Sequence, residues 1–563
     1  MTSSFRRHLV VSVTLLAAGF ASWAVDAQDA ALTPPELTTR PLAAEWTYST
    51  DGGQTFTTTP PKGAFPQERE GLVPLTFRGT FEIGNPAQVA GLWVRIAEPG
   101  DAPKATICDG NLIAASGGNW KDLTACPTLL DARVTLNGKP VQFARGHTLA
   151  AWYPVVEPLQ PGRNTIEVSG NCYTHWQGQP ATAITARLLM ADPQAAGIYS
   201  GPLLGDFGPS SFSVACRTRL PAELTVVATP TTPAAAPVTA RGPRGVWHRI
   251  KVDLPPGTMT ATYMLTSQSG GITSSAGPFT VRLLDAPDAG YRFVALGNIM
   301  ADASAKTRWA NTAALVRRLD PAFIVHTGNC NMHSTWDSTW EDRYFAPIGG
   351  LLASVPTLFT PAGRDFGGAV HELHVTPAID GYGHTWAKPI GPVRFIGIDG
   401  SYVWAVGDQN YAWLEEQLAA AKEKFVFVLC GFPAYASGGH SKRPSQWLAQ
   451  NREVIMPLLG KYRVSAMISG QEAVYERCEP TPDLGCTQIV TGAAGRDAIR
   501  FSGRAATDNP FGKGKGHDWA GAEDTPSLCV FEVRPDRVEM KALSIPDGGA
   551  EPRVLDTKAF LPR

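Results

Sequence analysis

The sequence predicts a three-domain protein in which two all-β sandwich domains precede one α/β domain. Its 563 residues exceed what one hydrophobic core usually holds, because single cores stop growing at roughly 250–300 residues. Up to about residue 285 the chain alternates apolar and polar residues between turn residues, as antiparallel strands do. From Tyr291 onward, apolar runs alternate with helical patterns, which is typical of an α/β layer.

The first predicted domain spans residues 41–190. Segments such as LTFRGTFEI and GRNTIEVSGN alternate between apolar and polar residues, and ARVTLNGKPV contains a hairpin. This hairpin and the strand LQPGRNTIEV resemble the jelly-roll, galactose-binding-like domains attached to many glycosidases. Trp120 and Trp176, in polar surroundings, are candidates for stacking on sugars, although aromatic residues more often belong to a core.

The second predicted domain spans residues 195–285. Short strands with turns every eight to twelve residues favour an immunoglobulin-like or fibronectin-like sandwich. Its opening, SGPLL followed by SSFSVACRT, resembles the domain that precedes the catalytic part of purple acid phosphatases.

The third predicted domain spans residues 290–563. Seven apolar runs predict buried strands: RFVALGN, FIVHTGN, TLFTPAG, VRFIGIDG, FVFVLCG, VSAMISG and TQIVTGAAG. Between them, Trp309, Ala313 and Val316 share one helical face before Pro321, and NYAWLEEQLAAAKEK predicts another helix. In open α/β sheets ligands bind beyond the carboxyl ends of strands, so the residues after each run are the candidate functional positions.

The N-terminus and the charge balance bear on location and partners. Residues 1–27 combine Arg6 and Arg7 with a short apolar stretch and small residues, as in a cleaved signal peptide, and so predict a secreted or periplasmic protein. We expect no membrane span after cleavage; a retained anchor is the alternative. With 49 basic and 50 acidic residues and no long basic run, nucleic acid is not an expected partner.

The nine cysteines allow disulfides in an exported protein. Two close pairs could each close a loop: Cys108 with Cys126, and Cys478 with Cys486. Sequence alone does not fix the pairing. The remaining five cysteines are odd in number and stand mostly in apolar runs, which is typical of buried thiols.

The third domain resembles the calcineurin-like metallophosphoesterases, and in particular the purple acid phosphatases. The resemblance extends from Arg292 to about Leu543 and rests on several segments in the family's order: HTGN, YFAPIGGLLASVPTLFTPAG, GPVRFIGIDG, NYAWLEEQL, FPAYASGGH and SGQEAVYER. It implies an αββα sandwich. Active members hold two metal ions, bridged by a carboxylate, that activate a water or hydroxide for attack on phosphorus.

The family's metal-binding motifs are not kept. The family reads Asp-x-Gly or Asp-x-His, Gly-Asp-x-x-Tyr, Gly-Asn-His-Glu, Val-x-x-His and Gly-His-x-His in its five blocks. Here the corresponding stretches are NIM, GN with a later Met, GRDF, VLCG and GQEA. The degenerate positions are Asn298, Met300, Asn329, Met332, Arg364, Asp365, Gly431, Gln471 and Ala473. Neutral amides replace carboxylates, so the site offers divalent cations a poor donor set.

These replacements predict a metallophosphoesterase-fold pseudoenzyme, with no catalytic residue, metal or cofactor. The old cleft is expected to bind an anionic small molecule or a glycan, or the protein is structural and binds an envelope partner. The candidate ligand-binding residues are Arg364, Gln471, Asn298 and Asn329. The alternative is a metal-dependent phosphoesterase that works through a rearranged site containing Asp365, Glu472 or nearby histidines.

Overall fold

The computed structural model describes residues 39–58, 73–97, 128–140, 151–153, 159–173, 183–284, 286–300, 306–330, 340–348, 350–363, 365, 385–400, 404–436, 446–479, 485–498, 519–522 and 525–563. This part of the chain is mainly β structure with few helices, as the sequence predicts. No helix within it has the length and apolar character that crossing a bilayer requires.

The first region forms two antiparallel sheets. The strands are β1 (Thr39–Pro41), β2 (Glu45–Ser49), β3 (Val73–Ile83), β4 (Val89–Ala97), β5 (Thr128–Leu136), β6 (Lys139–Pro140), β7 (Ala151–Tyr153), β8 (Gly162–Tyr173) and β9 (Ala183–Met190). One sheet has the order β1-β9-β4-β7 and the other β2-β3-β8-β5-β6. Phe77, Val134 and Ile166 are buried, because the alternation of each strand turns one face inward.

The second region is one six-stranded sheet that bends along its longest strand. Its strands are β10 (Ile198–Gly208), β11 (Ser211–Thr232), β12 (Val238–Arg241), β13 (Gly245–Asp253), β14 (Thr260–Ser269) and β15 (Ile272–Arg282). The first half of β11 pairs with β10 and β13, and its second half pairs with β12 and β14. The change of partner falls beside Pro221, which has no N–H to donate to a ladder.

The third region contains two mixed sheets. Six strands have the order β18-β17-β16-β26-β27-β28, and seven have the order β19-β20-β21-β22-β24-β23-β25. Their bounds are β16 (Tyr291–Leu296), β17 (Phe323–His326), β18 (Thr357–Phe359), β19 (Trp386–Ile390), β20 (Val393–Ile398), β21 (Phe425–Cys430), β22 (Ala466–Ser469), β23 (Tyr475–Cys478), β24 (Thr487–Thr491), β25 (Trp519–Ala522), β26 (Ser527–Val533), β27 (Val538–Ser544) and β28 (Val554–Phe560). All seven predicted apolar runs form strands here.

Phenylalanine rings fill the space between these two sheets. Within the six-stranded sheet of the third region, Phe293 stacks on Phe531 with ring centroids 4.5 Å apart. Across the core, Phe293 meets Phe395 of the seven-stranded sheet edge-on, with ring centroids 5.1 Å apart. Such offset and edge-on arrangements are favoured because a ring's positive edge faces another ring's negative face. The two sheets therefore share one apolar core.

Helices cover the outer faces of both sheets. Helix α1 (Lys306–Leu319) buries Trp309, Ala313 and Val316 against the six-stranded sheet, which confirms the predicted helical face. Helices α2 (Gln409–Ala419), α3 (Gln446–Gln450) and α4 (Met456–Lys461) pack on the seven-stranded sheet. The α-β-β-α layer order follows, with the parallel strands β16, β17 and β18 on one side and β20, β21, β22 and β24 on the other.

The second region packs directly on the two-sheet core. The rings of Phe207 and Phe323 lie 5.3 Å apart, and the Tyr263 hydroxyl donates to the Ala353 carbonyl at 2.6 Å. Lys388 forms an ion pair with Asp206 at 2.7 Å. The predicted boundaries between the three domains remain predictions.

The C-terminal strand β28 is attached to β23 by a buried ion network. The Arg477 guanidinium donates to Asp556 at 2.7 Å and also to Glu479, and its side chain is only 6% exposed. Tyr475 donates to Asp556 at 2.7 Å, and Lys558 pairs with Glu479 at 2.6 Å. A buried charge of this kind is tolerated only while its partners are present.

Replacing Arg477 with Met should therefore lower the free energy of unfolding by about 3–5 kcal/mol, because Asp556 loses its buried cation. Chemical denaturation monitored by fluorescence measures the effect. The matched control is Arg537→Met, whose guanidinium pairs with Glu539 at the surface and should matter little. Equal stability of the Arg477 variant and the control would contradict the assignment.

Candidate functional site

The candidate site lies where parallel strands of both sheets end. Leu296, His326 and Phe359 are in register across β16, β17 and β18, and Cys430 is in register with Ser469 across β21 and β22. The loops that follow these strands therefore meet at one edge of the sandwich, where ligands of α/β folds bind.

Glycines allow the two groups of strand ends to touch. A β-carbon at Gly431 would lie 2.0 Å from the Pro361 carbonyl oxygen, and one at Gly470 would lie 2.5 Å from the Thr327 carbonyl oxygen. No side chain fits at either position. The degenerate position Gly431 therefore has no room for an imidazole in this arrangement of the backbone.

Three amide side chains converge at this edge. The Asn329 Nδ2 group donates to Asn298 Oδ1 at 3.2 Å and to Gln471 Oε1 at 3.2 Å. Gln471 Oε1 also accepts from the Gly363 N–H at 3.0 Å. Three of the four candidate ligand-binding residues thus lie together, in hydrogen bonds with one another.

The backbone of this cluster is unusual. Asn298, Met300, Asn329 and Gln471 all have positive φ values, of 54°, 48°, 54° and 64°. Non-glycine residues occupy this region rarely and at an energetic cost, and such residues concentrate at functional sites. All four residues are among the degenerate metal-motif positions that the sequence analysis identified.

Asp365 organises the loops around the amides. Its Oδ2 accepts from the N–H groups of Asn329 at 2.6 Å and Ala362 at 2.9 Å, and its Oδ1 accepts from the Cys330 N–H at 2.9 Å. Burial raises the pKa of Asp365 to about 6, against the opposing effect of these three donors. Three backbone N–H groups and the Cys330 thiol contact the carboxylate, which therefore joins two loops.

His326, Cys330 and Cys430 are buried next to the site. His326 accepts from the Gly328 N–H at 3.1 Å, its ring stacks on Phe359, and burial lowers its pKa to about 3. Burial raises the pKa of the Cys330 thiol well above its usual value and that of Cys430 to about 12. Thiols of this kind stay protonated and do not act as nucleophiles.

Arg496 is a site residue that the sequence analysis did not select. It follows β24 in the loop Gly492–Arg496, and its Nη1 contacts the Met300 sulfur at 2.9 Å. The loop is held against the end of β16, because Ala494 donates to the Gly297 carbonyl at 3.1 Å and a β-carbon at Gly495 would lie 2.6 Å from the Ile299 oxygen. The run GAAG after an apolar strand was the only signal for it.

Several selected residues fall outside the described residues, namely Met332, Arg364, Cys108, Cys126, Trp120 and Trp176. The structure describes the two residues that flank Arg364 in the sequence. The Gly363 N–H donates to Gln471 Oε1, and Asp365 Oδ2 accepts from the Asn329 N–H. Ala473 and Glu472 are buried beside Gln471.

Cys478 and Cys486, one of the two candidate disulfide pairs, are separate buried thiols in this structure, and their pairing stays a prediction. Antiparallel pairing places Gln488, two residues after Cys486, opposite Cys478 on β23. Both thiols instead pack in the apolar cluster on the outer face of the seven-stranded sheet.

The donor set does not fit a dinuclear metal centre. Hard divalent cations prefer several carboxylate and imidazole ligands, whereas the converging groups here are neutral amides that already bond one another. In the described part of the chain, no three His, Cys, Asp or Glu side chains converge. The Arg496 guanidinium, which contacts the Met300 sulfur, would also repel a cation.

The comparison with known proteins identifies the fold. No family model and no curated protein matches the chain. A purple acid phosphatase from yellow lupin (Lupinus luteus) seeds superposes with a TM-score of 0.56 at 15% identity, over 92% of this chain and 96% of that one. This chain therefore has a calcineurin-like metallophosphoesterase fold of the purple acid phosphatase type.

Two other solved structures match about half of the chain. The GAP50 anchor in the inner membrane complex of Plasmodium has a TM-score of 0.38 at 20% identity, over 49% of this chain and 90% of that one. Vacuolar protein sorting 29 from Cryptosporidium parvum has a TM-score of 0.26 at 13% identity, over 49% and 100% respectively. At these identities the comparisons concern the fold alone.

Asp365 should make stability depend on pH. The pKa of Asp365 is about 6 in the folded protein, against an ordinary value of 3.8. Its contribution to the free energy of unfolding is therefore fully present below pH 3.8 and is lost as pH rises through 6. This difference corresponds to roughly 3 kcal/mol. We expect Asp365→Asn to flatten this part of the pH profile of unfolding, measured by denaturant titration from pH 4 to 7.

Asp365→Asn should also destabilise the protein at the acid end by about 1–3 kcal/mol, because an amide NH2 faces at least one of the three N–H donors. Asp408→Asn, at the N-cap of α2, is the control: it leaves Asp365 in place, so the loss of stability as pH rises through 6 should remain. A variant profile parallel to that of the wild type would refute this role for Asp365.

Replacing Asn329 with Asp should create a cation site. The new carboxylate would face the oxygens of Asn298 and Gln471, so stability should fall by about 1–3 kcal/mol without metal and recover with Ca²⁺ or Mn²⁺. Melting temperatures with and without each cation measure this.

Asn137→Asp is the matched control for this cation experiment. Asn137 also has a positive φ and donates to an asparagine oxygen, that of Asn164, but it lies in the first region. A cation response equal in both variants would mean that the three amides do not converge as described.

Proposed function

We propose that this protein is an exported binding protein that uses a metallophosphoesterase fold without a dinuclear metal centre. The observation that carries the proposal is the amide cluster of Asn298, Asn329 and Gln471, in which hydrogen bonds join the strand ends that metal ions would join in an active enzyme. The export is proposed from the signal-like residues 1–27.

The ligand is an anionic or polyhydroxylated small molecule. Arg364 stands in the sequence between two residues that contact the amide cluster. A guanidinium suits ligands rich in acceptor oxygens, and the amides would bind such a ligand by exchanging hydrogen bonds that they now make with one another. The first β region contributes further contacts to a glycan or an envelope protein.

A phosphoesterase with a rearranged metal site is the competing function, since the fold is that of such enzymes. Asp365, Glu472 or nearby histidines would have to act in it, yet both carboxylate oxygens of Asp365 accept backbone N–H groups. A metal ion would have to use the remaining lone pair or displace buried donors, and each displaced donor costs about 1–3 kcal/mol.

Metal content after loading separates the two functions. The folded protein is exposed to excess Fe, Mn and Zn, desalted and analysed by mass spectrometry, and we expect essentially no bound metal. Retention of about two ions per chain together with metal-dependent phosphoester turnover would refute the proposal, because that chemistry uses a dinuclear centre.

Binding is then measured by calorimetry against phosphate, sulfate and cell-envelope glycans. We expect one of these classes to bind, and Arg364→Ala to weaken the binding roughly tenfold or more, as loss of a charged hydrogen bond would. Arg452→Ala, a partly exposed arginine on the helical layer, is the control. No binding by the wild-type protein would leave only a structural role, tested by a stoichiometric partner in pull-downs.

A further inference from the structure

A groove lies between the two sheets of the third region at the amino ends of their strands. Asp288 and Pro535 line it from the six-stranded sheet, and Pro392, Lys422 and Lys424 line it from the seven-stranded sheet. Its volume of about 340 Å³ is at the low end of the roughly 300–1,000 Å³ that small-molecule pockets have. The six residues of β21 separate the groove from the amide cluster by roughly 20 Å, so the groove is a second site.

Opposite charges line this groove without pairing with each other. Asp288 and Lys422 are both exposed, and neither the carboxylate nor the ammonium group forms a hydrogen bond or an ion pair with a described residue. The Lys424 ammonium reaches across the groove and donates to the Pro535 carbonyl at 2.8 Å. Because an ammonium group has three N–H donors, Lys424 keeps donors for a ligand.

The fourth charged residue of the lining, Glu423, is already paired. Arg394 donates from Nε and Nη2 to its two carboxylate oxygens at 2.8 and 3.1 Å, and the Lys422 backbone N–H donates to it at 3.0 Å. Burial raises the pKa of Glu423, but the hydrogen bonds from Arg394 prevail and hold this pKa below its ordinary value. Two ammonium groups and one carboxylate remain, so the groove has a net charge of +1.

The backbone on both sides of the groove is held in place. A β-carbon at Gly391, whose φ is 53°, would lie 2.5 Å from the Pro287 carbonyl oxygen, so the turn between β19 and β20 is pressed against the turn that carries Asp288. The Arg563 N–H donates to the Lys424 carbonyl at 3.0 Å. The charged side chains therefore start from fixed positions, which lowers the cost of ordering them around a ligand.

We infer that this groove binds a small α-amino dicarboxylate, a molecule with two carboxylates and one ammonium group. The two carboxylates match Lys422 and Lys424, and the ammonium group matches Asp288. The ligand's net charge of −1 balances that of the groove. Its carbon chain lies on the apolar surface of Pro392 and Pro535. The inference goes beyond the proposed function, since it concerns a different site and ligand.

The test compares three probes that differ by one charged group. L-glutamate, glutarate and L-glutamine are titrated into the full chain at pH 7 and constant ionic strength, with binding measured by calorimetry and by the rise in melting temperature. Glutarate lacks the ammonium group, and glutamine lacks the second carboxylate. We expect glutamate to bind most tightly and each analogue to bind roughly tenfold more weakly, as loss of one charged hydrogen bond would cause.

Two variants assign the charged groups. Asp288→Asn should weaken glutamate binding to the level of glutarate without weakening glutarate binding, because glutarate has no group for Asp288 to bind. Lys422→Met should weaken the binding of both roughly tenfold. Lys139→Met removes an exposed ammonium group from β6 in the first region and should bind glutamate as the wild type does. If Lys422→Met fails to fold, the two probes on Asp288→Asn decide the question.

The outcomes separate this inference from the proposed function. Absence of glutamate binding, or equal binding of glutamate and glutarate by the wild type, would overturn the inference and leave the proposed function standing. An equal loss of both probes in Asp288→Asn would also overturn it. If Arg364→Ala abolishes glutamate binding while Lys422→Met and Asp288→Asn do not, glutamate binds at the other end of the sandwich and the inference fails.

Discussion

The close contact between the carboxyl ends of the two sheets is the constraint on which the site depends. Glycines permit it: besides Gly431 and Gly470, Gly328 has a φ of 84°, and a β-carbon there would lie 2.5 Å from the Ala362 nitrogen. Because backbones approach so closely, the side chains that follow each strand must share one small volume. The side chains at these positions must therefore fit together in size and charge.

Neutral amides satisfy this requirement without a cation. Two oxygens, from Asn298 and Gln471, point towards one Asn329 amide group, which supplies the positive end that a metal ion would otherwise supply. Asp365 then attaches the surrounding loops through three backbone N–H groups. The described side chains of the site are therefore joined by hydrogen bonds to one another and to the surrounding backbone.

Much of the fold and part of the site could be predicted from the sequence. The apolar runs and the helical face of Trp309 are local patterns, and they formed the expected elements. The convergence of Asn298, Asn329 and Gln471 followed from their places after strands. The role of Asp365 and the position of Arg496 could not be predicted, because both depend on how separate loops pack.

The left-handed backbone at this edge of the sandwich is relevant to the role of the site. Each such residue costs of order 1–3 kcal/mol, and four of them, Asn298, Met300, Asn329 and Gln471, stand at this one edge. Hydrogen bonds such as those from Met300 N–H to Asn329 and from Asn298 N–H to Gly328 offset part of the cost. A merely structural edge would relax more cheaply with glycine at these positions. The strain at this edge, with an Asn298 Nδ2 group that has no hydrogen-bond partner among the described residues, therefore supports the binding role proposed above over a purely structural one.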